Sequence, residues 1–166
     1  MNNESAVIFI DFEAFQHGDE PFQIKELCFL SNQASLQPLH FIFKPEIPWE
    51  KLTNAQRKTY SYEESKIHGL MWREGMDRYC PGCILHRVKK YIPHITNAVC
   101  YVLGTQKSNF LRKEFPSLKI VNYPIDSFKD MLPTPTHLTC PYRPHSRDHC
   151  ALLKCYRMSY HYTSVD

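Results

Sequence analysis

The chain has 166 residues, of which 43% are hydrophobic and 13% aromatic, and its formal net charge is +3. A chain of this size buries about 70% of its unfolded surface, so the composition predicts a single domain over residues 1–166 and excludes a disordered protein. The mild positive charge permits a nucleic-acid partner without requiring one, and no apolar run approaches the roughly 18 residues of a membrane span. We therefore expect a soluble intracellular protein, cytoplasmic or nuclear, with no membrane partner.

The predicted elements begin with strands and continue as an alternation of helices and strands. Apolar segments between turn-forming residues predict strands over 7–12, 24–30 and 39–43. Helical spacing and continuous apolar runs then predict helices over 53–66, 83–91, 106–115 and 150–162, and strands over 98–103 and 119–123. A meander followed by this alternation is typical of an α/β or α+β sandwich of ribonuclease H-like type. Of the two we expect the α/β fold, with a mixed central sheet flanked by helices.

The first predicted strand carries two carboxylates, Asp11 and Glu13. Side chains at i and i+2 share one face of a strand, so the two groups repel unless a cation lies between them. Paired carboxylates after a buried strand are typical of enzymes that hydrolyse phosphodiesters with divalent metal ions. A solvated strand end explains the same tripeptide, so this motif alone does not decide the function.

Near the C-terminus, possible metal ligands are concentrated between Cys140 and Cys150, with His145 and His149 between them. Thiolates and imidazoles are ligands that zinc prefers. The seven cysteines are an odd number at irregular spacing, which in an intracellular protein indicates thiols and metal ligands rather than disulfides. Surface histidines beside a buried cysteine are the alternative interpretation.

A second cysteine pair, Cys80-Pro-Gly-Cys83, precedes a predicted helix. Its spacing suits half of a zinc site, which Cys140 and His145 would complete, or a redox pair at a helix N-terminus. Two unligated cysteines beside a tight turn are the third interpretation. The remaining cysteines lie in apolar surroundings and are predicted to be core residues: Cys28, Cys100 and Cys155.

Several segments occur in an order that resembles a known superfamily. They are Asp11-Phe-Glu13, Ile24-Lys-Glu26-Leu, Ser65-Lys-Ile-His68-Gly69, Tyr101-Val-Leu-Gly104, Ile125-Asp126 and His149-Cys150-Ala-Leu-Leu-Lys-Cys155. Together they resemble the DEDDh (DnaQ-like) exonuclease superfamily, and most closely its zinc-bearing branch, which includes the exonuclease domain of arenavirus nucleoproteins and the Maelstrom domain. The segments span almost the whole chain, and His-Cys-Ala-Leu before an apolar helix is the most specific of them.

The resemblance implies a catalytic set of four carboxylates and one histidine. Asp11 and Glu13 match the first two carboxylates, and His149 matches the general base. The other two positions depart from the family: Lys154 stands where the last aspartate is expected, and residues 105–108 read Thr-Gln-Lys-Ser where another is expected. A lysine there would neutralise the carboxylates in place of a metal ion, so we expect a catalytically degenerate domain.

The alternative is an active 3′–5′ exonuclease or ribonuclease that uses magnesium or manganese. In that case Asp11 and Glu13 would hold the metal ion, and His149 would deprotonate the attacking water.

The resemblance also implies a closed zinc site. In the zinc-bearing branch a glutamate of the second strand joins Cys, His and Cys ligands, and the matching residues are Glu26, Cys140, His145 and Cys150. Four protein ligands leave no position for water, so this zinc would be structural and would fix the proline-rich C-terminal segment to the second strand. The sequence leaves open whether His145 or His149 is the ligand.

Three basic residues are candidates for contact with a nucleic-acid partner. Arg143, Arg147 and Lys107 are the predicted nucleic-acid contacts, although solvated surface explains such residues equally well. The predicted function is a zinc-stabilised, degenerate exonuclease-like domain that binds nucleic acid, in the first place RNA, or acts as an adaptor for a protein partner. A protein-interaction scaffold that binds no nucleic acid is the further alternative.

Overall fold

The chain folds into a five-stranded mixed sheet with helices on both sides. The computed structural model describes residues 6–33, 35–142 and 145–164. The strands are β1 (Val7–Phe15), β2 (Gln23–Ser31), β3 (Leu39–Ile42), β4 (Val99–Val102) and β5 (Lys119–Asn122). The helices are α1 (Asn54–Tyr62), α2 (Pro81–Tyr91), α3 (Thr105–Glu114) and α4 (Ala151–Ser164). None of the helices within these ranges is both long and apolar enough to cross a membrane.

The central strand β1 joins two kinds of strand pairing. The order across the sheet is β3-β2-β1-β4-β5. The pairings of β1 with β2 and of β2 with β3 are antiparallel, whereas those of β1 with β4 and of β4 with β5 are parallel. The predicted α/β architecture with a mixed sheet is therefore confirmed.

All of the predicted strands and helices are present, but some of their ends differ from the prediction. β1 continues to Phe15, three residues beyond the predicted end, because a register shift after Glu13 lets the chain keep pairing with β2. α1 ends at Tyr62 and is followed by a π-helical turn, Glu63–Ile67. α2 begins two residues early because Pro81 occupies its first position, where a missing N–H breaks no helical hydrogen bond.

Alternation along β1 divides the core into two layers. Ile8, Ile10 and Phe12 pack against α2 and α3. Val7 and Phe9 point to the other side and pack against α4. The same alternation carries Asp11 and Glu13 to the α4 side. Both side chains are buried there, so the predicted strand-end carboxylates lie in the interior and not in solvent.

Strand β2 brings a third carboxylate to the same face. Glu26 is fully buried and lies directly opposite Glu13 in the antiparallel ladder, while Cys28 lies opposite Asp11. Like charges opposite each other destabilise a sheet. This face therefore requires positive groups, and their positions define the site described below.

A buried lysine fixes the segment that precedes α2. The Lys25 ammonium donates hydrogen bonds to the carbonyl oxygens of Phe43 and Trp72, at 2.8 and 2.7 Å, and also to that of Glu74. The lysine thereby joins β2 to the chain after β3 and to the chain after α1. Nearby aromatic side chains form a small satellite core with Leu52: Phe15, Tyr60 and Trp72.

We expect Lys25→Met to lower the free energy of unfolding by about 2–4 kcal/mol, because it leaves buried carbonyl oxygens without a donor. Urea denaturation followed by circular dichroism measures this change. Lys44→Met is the matched control at an exposed position and should change the free energy by less than about 0.5 kcal/mol. Equal, small effects of the two substitutions would show that Lys25 is not the anchor.

Candidate functional site

Four side chains that can bind a metal ion converge beside the start of α4. Glu26, Cys140, His145 and Cys150 each place a ligand atom within 4.8 Å of the others. All four are largely withdrawn from solvent, and the His145 side chain is 1% exposed. Within the described residues they form the one group of this kind. The cluster could therefore bind a metal ion through four protein ligands.

Glu26 is the centre of this cluster. Its Oε1 accepts a hydrogen bond of 2.7 Å from the backbone N–H of Ala151, the first residue of α4. Nε2 of His145 lies 3.0 and 3.1 Å from the two carboxylate oxygens, and Nε2 of His40 lies 2.6 Å from Oε2. Burial alone would raise the pKa of Glu26, but the hydrogen bonds from His145 and His40 lower it to about 2. Glu26 is therefore an ionised acceptor at neutral pH.

A backbone carbonyl orients the His145 ring. Nδ1 of His145 lies 2.7 Å from the carbonyl oxygen of His68, which also accepts a hydrogen bond from the N–H of Ser146 at 3.0 Å. With Nδ1 donating to this carbonyl, Nε2 is the nitrogen that could bind a metal ion, once it loses the proton that it donates to Glu26. Gly69 permits this close approach, since a Cβ at this position would lie 3.3 Å from the Cα of His145. The φ angle of Gly69 is +74°, a backbone conformation that also favours glycine.

The two cysteines of the cluster share a hydrogen bond. A hydrogen bond from the Cys150 thiol lowers the pKa of Cys140 to about 6, and the same contact raises the pKa of Cys150. The Cys150 thiol is also 3.7 Å from Oε2 of Glu26. The cluster thus offers a thiolate, a thiol that a metal ion would deprotonate, an imidazole and a carboxylate.

The carboxylates of β1 are paired with two lysines. Nζ of Lys107, in the first turn of α3, lies 2.9 Å from Oδ1 of Asp11. Nζ of Lys154, on α4, lies 2.8 Å from Oε1 of Glu13. Asp11 is 0% and Glu13 7% exposed. Two ammonium groups therefore balance two buried carboxylates, and each lies at hydrogen-bond distance from a carboxylate oxygen.

Sheet register explains how Lys107 reaches Asp11. β4 pairs with β1 only over residues 7–9, so the end of β1 has no strand on that side within the described ladder. The Lys107 side chain crosses this opening, and its Nζ lies 5.2 Å from the centre of the Phe12 ring. Burial raises the pKa of Asp11, and the charges of Lys107 and Lys154 offset only part of this rise.

The other predicted site residues lie outside these two groups. His149 ends a short 3₁₀ helix, Arg147–His149, and is not a member of the metal cluster, so His145 is the histidine that the structure brings to Glu26. In the described part of the chain no hydrogen bond joins His149 to the β1 carboxylates. Arg147 is exposed and donates to the carbonyl oxygens of Leu138 and Pro135. Arg143 lies outside the described residues.

The remaining cysteines lie outside the metal-ligand cluster. Cys80 and Cys83 join no group of three metal ligands in the ranges described, so the structure does not bring them to Cys140 and His145. The predicted core positions are confirmed, since each of these side chains is fully buried: Cys28, Cys100 and Cys155.

Sequence reasoning does not identify His40, whose contact with Glu26 depends on the pairing of β2 with β3.

Comparisons with known proteins assign no family to the chain. No protein-family profile matches it, and no curated protein matches it at a significant level. The interpretation therefore depends on the chemistry of the site. The metal-ligand cluster and the carboxylate–lysine pairs share one face of β1 and β2, under the same helix.

We expect Lys154→Met to lower the free energy of unfolding by about 3 kcal/mol, because the ammonium group that then remains beside the buried Glu13, among the described residues, is that of Lys107 at 4.0 Å. Adding Glu13→Gln should restore much of this loss, since no unpaired charge then remains at that position. Chemical denaturation of the wild type, both single variants and the double variant gives the coupling free energy. Purely additive effects would show that the ion pair contributes nothing.

Proposed function

We propose that this chain is a non-catalytic, zinc-stabilised domain of the DEDDh exonuclease type that binds RNA. The observation that carries the proposal is the pairing of Asp11 and Glu13 with Lys107 and Lys154. In the fold that the resemblance implies, the first strand is central and carries the first acid pair. The central position of β1 and its two carboxylates support that assignment.

Electrostatics argue against two-metal catalysis at this position. Two divalent ions bring four positive charges and need several carboxylates around them. Here each carboxylate already contacts an ammonium group, and a divalent ion bound to the same oxygen would be repelled by it. Burial would lower the pKa of Lys154, but the charges of Asp11 and Glu13 raise it. Lys154 therefore stays charged at neutral pH and opposes metal binding.

The donor set of the second group favours zinc. Two sulfurs, one imidazole nitrogen and one carboxylate oxygen suit a tetrahedral ion of borderline softness, and the carbonyl of His68 supplies the outer hydrogen bond that orients the imidazole. With four protein ligands the ion would have a structural role. It would fix the segment from Cys140 to Cys150, and with it the start of α4, to strand β2.

The side of the sheet opposite α4 offers a basic surface for RNA. α2 and α3 both pack there, and Tyr79, just before α2, donates a 3.1 Å hydrogen bond to Glu114 of α3. Between residues 81 and 120 the one acidic residue is Glu114, and the basic residues are Arg87, Lys89, Lys90, Lys107, Arg112, Lys113 and Lys119. Lys89, Lys90 and Lys113 are exposed, so the outward sides of the two helices could contact phosphates.

This surface changes the predicted set of RNA contacts. Lys107 is held by Asp11 and adds little to phosphate binding. Arg147 remains a predicted contact because it is exposed, and Arg143 remains one from the sequence. The preference for RNA over DNA comes from the resemblance.

Zinc content tests the metal assignment. We expect protein purified without added metal to contain about one equivalent of zinc, and we expect chelation to lower the midpoint of thermal unfolding by about 10 °C. Cys150→Ser should abolish zinc retention, whereas Cys100→Ser, at a buried cysteine outside the cluster, should leave it unchanged. Elemental mass spectrometry makes the measurement. Full zinc retention by the Cys150→Ser protein would contradict the proposed site.

RNA binding without digestion tests the proposed function. With magnesium or manganese and 3′-labelled RNA or DNA, single- or double-stranded, we expect no digestion above that of Asp11→Ala. The same preparation should retard RNA in a gel, without dependence on these metals and with an affinity that falls as salt rises. Lys89→Glu with Lys90→Glu should weaken binding about tenfold. Lys58→Glu with Lys66→Glu, an equal charge change at exposed positions elsewhere, should not.

Two outcomes would overturn this proposal. Digestion that disappears in the Asp11→Ala protein would identify an active exonuclease, in which Asp11, Glu13 and His149 would be the catalytic candidates. Absence of RNA retardation at low ionic strength would instead favour the protein-interaction scaffold, because phosphate contacts are strongest there.

A further inference from the structure

A pair of cysteines outside the metal-ligand cluster opens helix α2. Cys80 is the N-cap residue, Pro81 is the first residue of the helix, and Cys83 lies in its first turn. The Cys80 sulfur accepts a hydrogen bond of 3.3 Å from the backbone N–H of Cys83. Cys83 is exposed and Cys80 is partly exposed. The cap thus holds two accessible thiols on one turn of helix.

We propose that Cys80 and Cys83 are a redox-active dithiol that closes to a disulfide by exchange with small anionic disulfides, of which oxidised glutathione is an example. The proposal concerns a modification site, and it does not depend on RNA binding or on the metal centre. In it, Cys80 is the attacking sulfur and Cys83 is the resolving sulfur.

The local environment distinguishes the two thiols. Hydrogen bonds from the thiol and then from the backbone N–H of Cys83 lower the pKa of Cys80, and the same thiol contact raises the pKa of Cys83. The N-terminus of α2 also favours a negative charge at its cap. Cys80 is therefore the more readily ionised sulfur, and the thiolate is the form that attacks a disulfide.

A cleft beside Cys83 suits an anionic reactant. The cleft has a volume of about 90 Å³, and two of the residues that line it are Arg78 and Arg87. Arg78 is exposed, and Arg87 lies 3.3 Å from Asp77 and over the Phe41 ring. Asp77 also lines the cleft and balances the charge of Arg87, so Arg78 is the guanidinium group beside the dithiol that can attract the carboxylates of a peptide disulfide. Arg78 is the feature that points to this class of reactant.

The fold holds the dithiol on a fixed support. Just upstream, the N–H groups of Met76 and Asp77 donate to the carbonyl oxygen of Ile42, and the N–H of Lys44 donates to the carbonyl oxygen of Asp77. These bonds attach the chain to the end of β3, three residues before Cys80. α2 itself is anchored in the core through Ile84 and Val88, among others. The end of β3 and helix α2 thus position the two sulfurs.

Other cysteines are poor candidates for this reaction. Burial raises the pKa of Cys100 to about 12 and also raises that of Cys28, so both are inert thiols. Cys140 and Cys150 belong to the metal-ligand cluster, and neither Cys80 nor Cys83 has a third metal ligand nearby in the described ranges. A half zinc site is thus not completed within those ranges.

The reaction balances as two exchange steps. The Cys80 thiolate attacks one sulfur of the disulfide RSSR, which forms a mixed disulfide on Cys80 and releases one RS⁻. Cys83 then loses its proton and attacks the Cys80 sulfur, which forms the Cys80–Cys83 bond and releases the second RS⁻. Two protein thiols are oxidised by two electrons, and RSSR is reduced to two thiols.

Intact-mass analysis and peptide mapping test the proposal on the protein as purified. With oxidised glutathione at neutral pH, we expect the wild type to form one intramolecular disulfide that maps to Cys80 and Cys83. Cys83→Ser should stop at a single glutathione adduct on Cys80, and Cys80→Ser should lose most of the reaction. Cys100→Ser is the matched control and should close as the wild type does.

The anion preference has its own measurement. Arg78→Glu is expected to slow closure by oxidised glutathione about tenfold, and to leave closure by the neutral hydroxyethyl disulfide within about twofold. Equal slowing with both reagents would overturn the proposed preference for anions. A wild-type protein that keeps both thiols, or a Cys83→Ser protein without an adduct, would overturn the dithiol itself. Circular dichroism of each variant confirms that it is folded.

Discussion

Three buried carboxylates on one face of β1 and β2 are the constraint on which the rest of the structure depends. Asp11, Glu13 and Glu26 lie under α4, and two of them are directly opposite each other across the strand pair. Burying like charges is strongly unfavourable unless each is paired. The groups that contact these carboxylates come from β3, α3, the chain before α4, and α4 itself: His40, Lys107, His145 and Lys154. The buried carboxylates therefore join distant segments to the central sheet.

The two halves of this face differ in chemistry although they share a backbone. In one half, ammonium groups contact the carboxylate oxygens of Asp11 and Glu13, which leaves no excess negative charge to attract divalent ions. In the other half, imidazole and thiol groups contact Glu26, and these groups can release protons and then bind a metal ion. Under the proposed function, the first half is a former catalytic centre closed by lysines, and the second is the structural centre that keeps the C-terminal segment on the sheet.

The opposite side of the sheet carries a different set of properties. α2 and α3 bury an apolar stripe against the sheet, and their exposed sides are rich in basic residues. The proposed dithiol opens α2, so a chemical change at Cys80 and Cys83 would occur on the same helix as the proposed contacts of Lys89 and Lys90. Neither feature touches the carboxylate face. Lys107 of α3 links the two sides of the sheet, because it crosses the open end of β1 to reach Asp11.

The strands and helices follow from the sequence alone, because strand alternation and helical spacing are local properties of the chain. The sequence also determined that Asp11 and Glu13 share a face, since i and i+2 always do in a strand. Three features of the site follow from the folded chain instead: Lys107 reaches Asp11, His40 contacts Glu26, and His145 joins the cluster. These contacts join residues far apart in the chain, and they depend on strand register and on where helices pack. No periodic pattern in the sequence encodes such distances.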